Sequence, residues 1–137
     1  MNRLSLALAL LILAGAVAGI GPLVETRQRA PEGTARTYLH AVEHGNIDAA
    51  LAMIEPSGRE ALRERVSLQQ RNRYEIGTMV LGRPSLVDQL LGRQVPVAWV
   101  TVTADVTTVT GERWRSTSTA ALVERDGVWY LIGPLFA

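Results

Sequence analysis

Residues 95–110 read V-P-V-A-W-V-T-V-T-A-D-V-T-T-V-T, and this alternation constrains the fold more than any other feature of the chain. Ala98, Val100, Val102, Ala104 and Val106 fall on one side, while Trp99, Thr101, Thr103, Asp105 and Thr107 fall on the other. β-Branched and aromatic residues at a period of two describe a strand with one buried face. At ~3.3 Å per residue a straight strand of this length would reach about 50 Å, too far for one small domain. The strand must therefore bend or bulge, and the apolar face of its sheet needs helices to cover it.

The opposite end of the chain sets the compartment. Residues 4–24 are an apolar run interrupted by Ser5 and by Gly15, Gly19, Gly21 and Pro22, with Met1-Asn2-Arg3 as a short positive head. About 20 apolar residues in a helix just cross a bilayer core, and a positive head stays cytoplasmic. Ala16-Val17-Ala18 also reads as a signal-peptidase site, with cleavage before Gly19. Hydrophobicity that persists through Ile20, Leu23 and Val24 favours the uncleaved anchor. On the anchor reading the lipid bilayer contacts residues 4–24 and residues 25–30 are a juxtamembrane linker; on either reading residues 31–137 form one domain outside the cytoplasm. The alternative to a single-pass membrane protein is a secreted or periplasmic one.

The chain has no cysteine. That excludes a disulfide framework, thiolate metal sites, thiol catalysis and a lipid-modified cysteine. All 14 basic residues are arginine, yet 13 acidic residues leave a net charge of +1. A nucleic-acid surface needs a basic excess, so no nucleic-acid partner is expected.

From Pro31 to about His44 the chain predicts a helix, with Pro31 in its first turn and Ala35, Tyr38, Leu39 and Val42 as an apolar stripe. Gly45 stops it as the left-handed residue. Asn46 then caps a second helix, with Ile47, Ala50, Leu51 and Ile54 inward and Pro56 as its end. A third helix begins at Ser57 and runs to about Gln70, turning Ala61, Leu62 and Val66 inward and Arg59, Glu60, Arg63, Glu64 and Arg65 outward.

After Arg73 the period changes to two. Tyr74, Ile76, Thr78 and Val80 alternate with Glu75, Gly77, Met79 and Leu81 in a first strand, which Gly82-Arg83-Pro84 breaks. Residues 85–91 fit two descriptions: a short helix capped by Ser85 and Asp88, or an edge strand through Leu86-Val87. The long strand follows, then Gly111 as a turn and a third strand over residues 112–125. Asp126-Gly127 is a two-residue hairpin turn leading to a last strand over residues 128–132. The fold class is α+β: an N-terminal apolar helix, then three helices on a curved, cone-like antiparallel sheet of about four strands.

Several short sequences resemble one known superfamily. Thr37-Tyr38-Leu39, the stretch Gly45-Asn46-Ile47-Asp48-Ala49-Ala50-Leu51, Pro56, Tyr74-Glu75-Ile76-Gly77 and Asp126-Gly127-Val128-Trp129-Tyr130-Leu131-Ile132 resemble nuclear transport factor 2-like (cystatin-like cone) domains, especially small bacterial envelope members. The resemblance covers residues 31–135, with residues 85–93 departing from the shortest pattern. It implies a sheet clasping helices around a conical pocket, and pairing through the sheet. It carries no activity of its own, because one fold hosts many functions.

His40-Ala41-Val42-Glu43-His44 matches the H-x-x-E-H zinc motif. Both histidines, however, lie almost opposite the Tyr38, Leu39 and Val42 stripe and face solvent, so neither a metal nor another cofactor is expected. Enzymes of the resembled superfamily set acids, histidine or tyrosine inside the cone, where a dry pocket moves their pKa values. Here Asp105 falls on the Trp99 side, Asp48 starts a helix and Asp88 lies in the unassigned stretch, so no acid–base pair converges. Tyr38, Tyr74 and Trp129 are the candidate ligand-binding residues, with plain core as the competing reading. Val97, Trp99, Thr101 and Thr103 are the candidate partner-binding face, for an envelope protein or a second copy; cover by the third helix is the competing reading. The expectation is a non-catalytic, tethered domain that binds a partner protein or a small apolar ligand. Alternatives are a secreted ligand binder and a cone-fold isomerase, dehydratase or hydrolase.

Overall fold

A computed structural model describes residues 28–83 and 97–137. The apolar run of residues 4–24, the linker of 25–27 and the two-way stretch of 85–91 lie outside the described residues. Among the described residues no helix is long and apolar enough to cross a membrane.

Three helices precede the sheet: α1 (Pro31–Glu43), α2 (Ile47–Ala52) and, after a 3-10 turn at Pro56–Gly58, α3 (Arg59–Leu68). Strands β1 (Arg73–Gly82), β2 (Val97–Thr107), β3 (Arg113–Arg125) and β4 (Val128–Leu131) follow, antiparallel and in sequence order. This is an α+β domain with one continuous core between the helices and one sheet face.

The α1 stripe is buried as its spacing requires, with Ala35, Tyr38 and Val42 at 0 % exposure. At its end Gly45 (φ +68°) allows the chain to reverse. Gly45 N donates to Val42 O and Asn46 N to Ala41 O, which satisfies two carbonyls that the helix leaves bare. Asn46 then caps α2 by accepting from Ala49 N at 3.1 Å.

α2 is shorter than its apolar spacing predicts. It stops at Ala52, and Ile54, fully buried, instead bridges Leu131 in parallel. Leu131 N donates to Met53 O and Glu55 N to Leu131 O, both at 2.8 Å, so residues 53–55 cover the outer edge of β4. The unpaired edge of a sheet competed with one more helical turn and won. α3 also differs from its sequence reading: Val66 is buried and Leu62 packs against the core, but Ala61 is exposed.

In the sheet, β2 alternates as the sequence demands, with Ala98, Val100, Val102, Ala104 and Val106 all at 3 % exposure or less. The irregularity expected in this strand sits in its neighbour. Between Ile76, opposite Ala104, and Thr78, opposite Thr103, β1 carries one extra residue, Gly77. A one-residue bulge inverts the facing of everything after it. Tyr74 and Ile76 therefore point inward with Met79 and Leu81, while Thr78 and Val80 point out, against the simple alternation. The β3–β4 turn takes positive φ at both Asp126 (53°) and Gly127 (79°), the twist-matched hairpin form.

Candidate functional site

The outer face of the sheet is the side that no described helix covers. The helices pack on the Ala98, Val100 and Val102 side, which removes α3 as a cover for Trp99. On β2 this outer face carries Val97, Trp99, Thr101, Thr103 and Asp105; Trp99 is 42 % exposed and Val80, on β1, 60 %. Gly82 lies opposite Trp99, and its lack of a side chain leaves that flank of the indole open. Thr101 and Thr103 share hydrogen bonds of 2.9 Å with Thr119 and Thr117 on β3. Hydroxyls satisfied across the strands leave methyl groups as the outward surface, so this patch is less polar than its composition suggests.

Charge begins only at one end of the patch. Asp105 accepts from Arg115 Nε at 3.1 Å and Arg113 Nη2 at 3.2 Å, and Arg113 also reaches Glu75 at 3.5 Å. Hydrogen bonds from Arg115 and then Arg113 hold the Asp105 carboxyl below its ordinary range. An open groove of about 410 Å³ runs beside this cluster, lined by Glu43, Arg73, Tyr74, Asp105, Thr107 and Arg113 among others. Two of its acids are already engaged, since Glu43 likewise accepts from Tyr74 N at 2.6 Å. A carboxylate pushed low and clamped by two guanidiniums is poorly matched to proton transfer near neutrality.

The three aromatic candidates do not share one site. Tyr38, at 0 % exposure, donates its hydroxyl to Gln69 Oε1 at 2.6 Å. Trp129, at 4 % exposure, lies under the Arg83 guanidinium at 5.9 Å, while its backbone bonds Gln28 and Thr34. Tyr74 differs from both: its hydroxyl is buried without a hydrogen-bond partner, and its ring stacks on Phe136 at 5.1 Å. Burial raises the pKa of this hydroxyl, and the neighbouring Asn72 tempers the rise.

His40 and His44 are exposed and stack on each other at 4.2 Å, with His44 Nδ1 bonded to His40 O at 2.8 Å. Among the described residues no three acidic or histidine side chains converge as metal ligands. Sequence reasoning missed Gln69, Phe136 and the Arg113–Asp105–Arg115 cluster. For the last, a signal existed: the two arginines alternate with Trp114 at strand spacing, on the face that Asp105 shares once the hairpin is in register. Gln69 and Phe136 carried none, because their partners are remote in sequence.

Three helices on one face of a four-stranded antiparallel sheet, with no described helix on the other face, define the class: a small α+β domain. No family model matches the chain, and no curated protein matches it. Among solved structures, a protein from Xanthomonas campestris described as a putative calcium/calmodulin dependent protein kinase II association domain superposes with a TM-score of 0.49. The identity is 16 %, over 72 % of this chain and 77 % of that one, a likeness that carries no functional argument.

Proposed function

We propose that this is a non-catalytic domain, tethered to the outside of the cytoplasmic membrane by residues 4–24, that holds a partner protein of the cell envelope on the outer face of its sheet. The observation that carries the reading is the strip of Val80, Trp99, Thr101 and Thr103, which no described helix covers, with Trp99 42 % exposed beside a glycine. An exposed aromatic on a rigid, uncharged strand surface is the usual anchor of a protein interface, and a charged rim like Asp105, Arg113 and Arg115 sets orientation. Among the described residues no acid–base pair converges near that face, and the low-pKa state of Asp105 supports a binding role over a catalytic one. The resemblance to nuclear transport factor 2-like domains agrees with use of the sheet as an interface.

Crosslinking in intact cells from an azide-bearing residue at position 101, followed by mass spectrometry, tests this. A discrete adduct that disappears with Trp99→Asp supports the reading. Its mass separates an envelope protein from a second copy. No adduct from the native chain refutes it. Intact mass with Gly19 as first residue would replace the tether by a released domain.

A further inference from the structure

One motif of the sequence takes no part in the outer sheet face. His40-Ala41-Val42-Glu43-His44 lacks what a hydrolytic zinc centre needs, three protein ligands around a bound water. Among the described residues no third acidic or histidine side chain joins the pair. Glu43 is turned away, its carboxylate accepting from Tyr74 N at 2.6 Å. A surface chelate needs less: two imidazoles one helical turn apart, with their lone pairs free.

α1 supplies that arrangement. Burial of Ala35, Tyr38, Leu39 and Val42 against the core fixes the rotation of the helix and leaves His40 and His44 exposed. Residues four apart are neighbours on a helix surface, with Cβ atoms roughly 5–6 Å from each other. His44 caps the helix at φ −86° and ψ 3°, close enough to helical that its side chain still follows the turn. The two rings lie face to face, with centroids 4.2 Å apart and 27° between their planes. Both the backbone N and the ring Nδ1 of His44 end on His40 O, at 3.2 and 2.8 Å. A carbonyl oxygen only accepts, so Nδ1 carries the proton and the lone pair of the neutral ring is on Nε2. A backbone carbonyl that fixes one ring nitrogen is the usual second support of a metal-binding histidine, because it sets the tautomer and the ring plane. The pair also sits at the C-terminal end of a 13-residue helix, whose partial negative charge favours a cation. Arg36, one turn before His40, is exposed, so water and salt screen its opposing charge.

We propose that His40 and His44 chelate one divalent late transition-metal ion through their Nε2 atoms, with water in the remaining positions. Imidazole donors without a thiolate order the ions as Cu2+ above Ni2+ and Zn2+. The rings already face each other, so closing on an ion takes side-chain rotation alone. Positions held by water are open to a side chain of another molecule, which gives the helical side of the domain a coordination contact separate from the outer sheet face.

The probe is Cu2+ alone, titrated into the full chain in detergent at neutral pH. One ion should bind per chain with a dissociation constant of about 1 μM, and its electron paramagnetic resonance spectrum should show two nitrogen donors. His40→Ala and His44→Ala, both at exposed positions, should each weaken binding by about 100-fold, because the second donor acts within the molecule. Unfolding the chain in urea should weaken it by at least about tenfold, because the helix sets the spacing. Loss on one substitution alone, or native affinity no tighter than that of either variant, means an ion on a single histidine and overturns the proposal. Affinity that survives urea overturns it too. Zn2+ followed by NMR on the native chain decides without any variant: the Nε2 resonances of both rings should shift together, and a shift at one ring alone refutes chelation.

Discussion

Replacing Tyr38 with phenylalanine removes one oxygen from the centre of the domain, where it serves a buried glutamine. The Tyr38 hydroxyl donates to Gln69 Oε1 at 2.6 Å, with the two residues at 0 % and 4 % exposure. Gln69 cannot swing to water, because its Nε2 is held by Leu135 O at 2.5 Å. Tyr38→Phe therefore loses a buried hydrogen bond and strands an acceptor, for a cost of about 2 kcal/mol. In a domain of this size that corresponds to a fall in Tm of about 10 °C. Urea unfolding at neutral pH measures it, and an unchanged slope shows that folded-state packing is intact.

The same hydroxyl also governs stability at high pH. Burial, and next the nearby Tyr74, push the Tyr38 pKa well above the ordinary tyrosine value. The unfolded chain ionises near pH ~10 while the folded chain holds its proton, so the unfolded state binds fewer protons in that window. Stability is then fully present below pH ~10 and falls as pH rises, by about 1.4 kcal/mol per unit for each such group. Tyr74, also raised, contributes in the same direction. Tyr38→Phe should remove one group's share of the alkaline slope. A variant within about 0.5 kcal/mol of the native chain at pH 7, with a parallel alkaline limb, would refute the reasoning.

Three further outcomes are expected. Gly45→Ala must carry φ +68° with a methyl group, at a cost of roughly 1–2 kcal/mol in denaturant unfolding; the new Cβ meets only the flexible ends of Arg71 and Gln70 at 3.2 Å, which adds little. Deleting Gly77 removes the bulge and leaves Ile76 opposite Ala104 and Thr78 opposite Thr103 in one unbroken register, with Met79 and Leu81 still inward, so stability should change by no more than about 1 kcal/mol, and a loss of several kcal/mol in denaturant unfolding would contradict the register. Asp105→Asn should flatten the acid limb of the stability profile. A depressed carboxyl contributes stability above its unfolded pKa of ~3.9 and loses it as pH falls through the lower folded value, so native and variant curves should converge in acid.

Local pattern alone determined a good deal of this protein. The α1 stripe, the Gly45–Asn46 reversal, the alternation of β2 and the Asp126–Gly127 hairpin are written within a few neighbouring residues, because backbone sterics and side-chain periodicity act over that range. The outer-face residues Val97, Trp99, Thr101 and Thr103 were likewise legible as one row of a pleat, though not whether a helix would cover them. Tertiary structure decided the rest. Ile54 left its helix to protect the edge of β4, Gly77 reversed half of β1, and Tyr38 found Gln69 across 31 residues of chain. In each case a buried backbone group or polar atom had to be satisfied by whatever the fold brought next to it, and that partner is set by three-dimensional closure, which no local window of sequence contains.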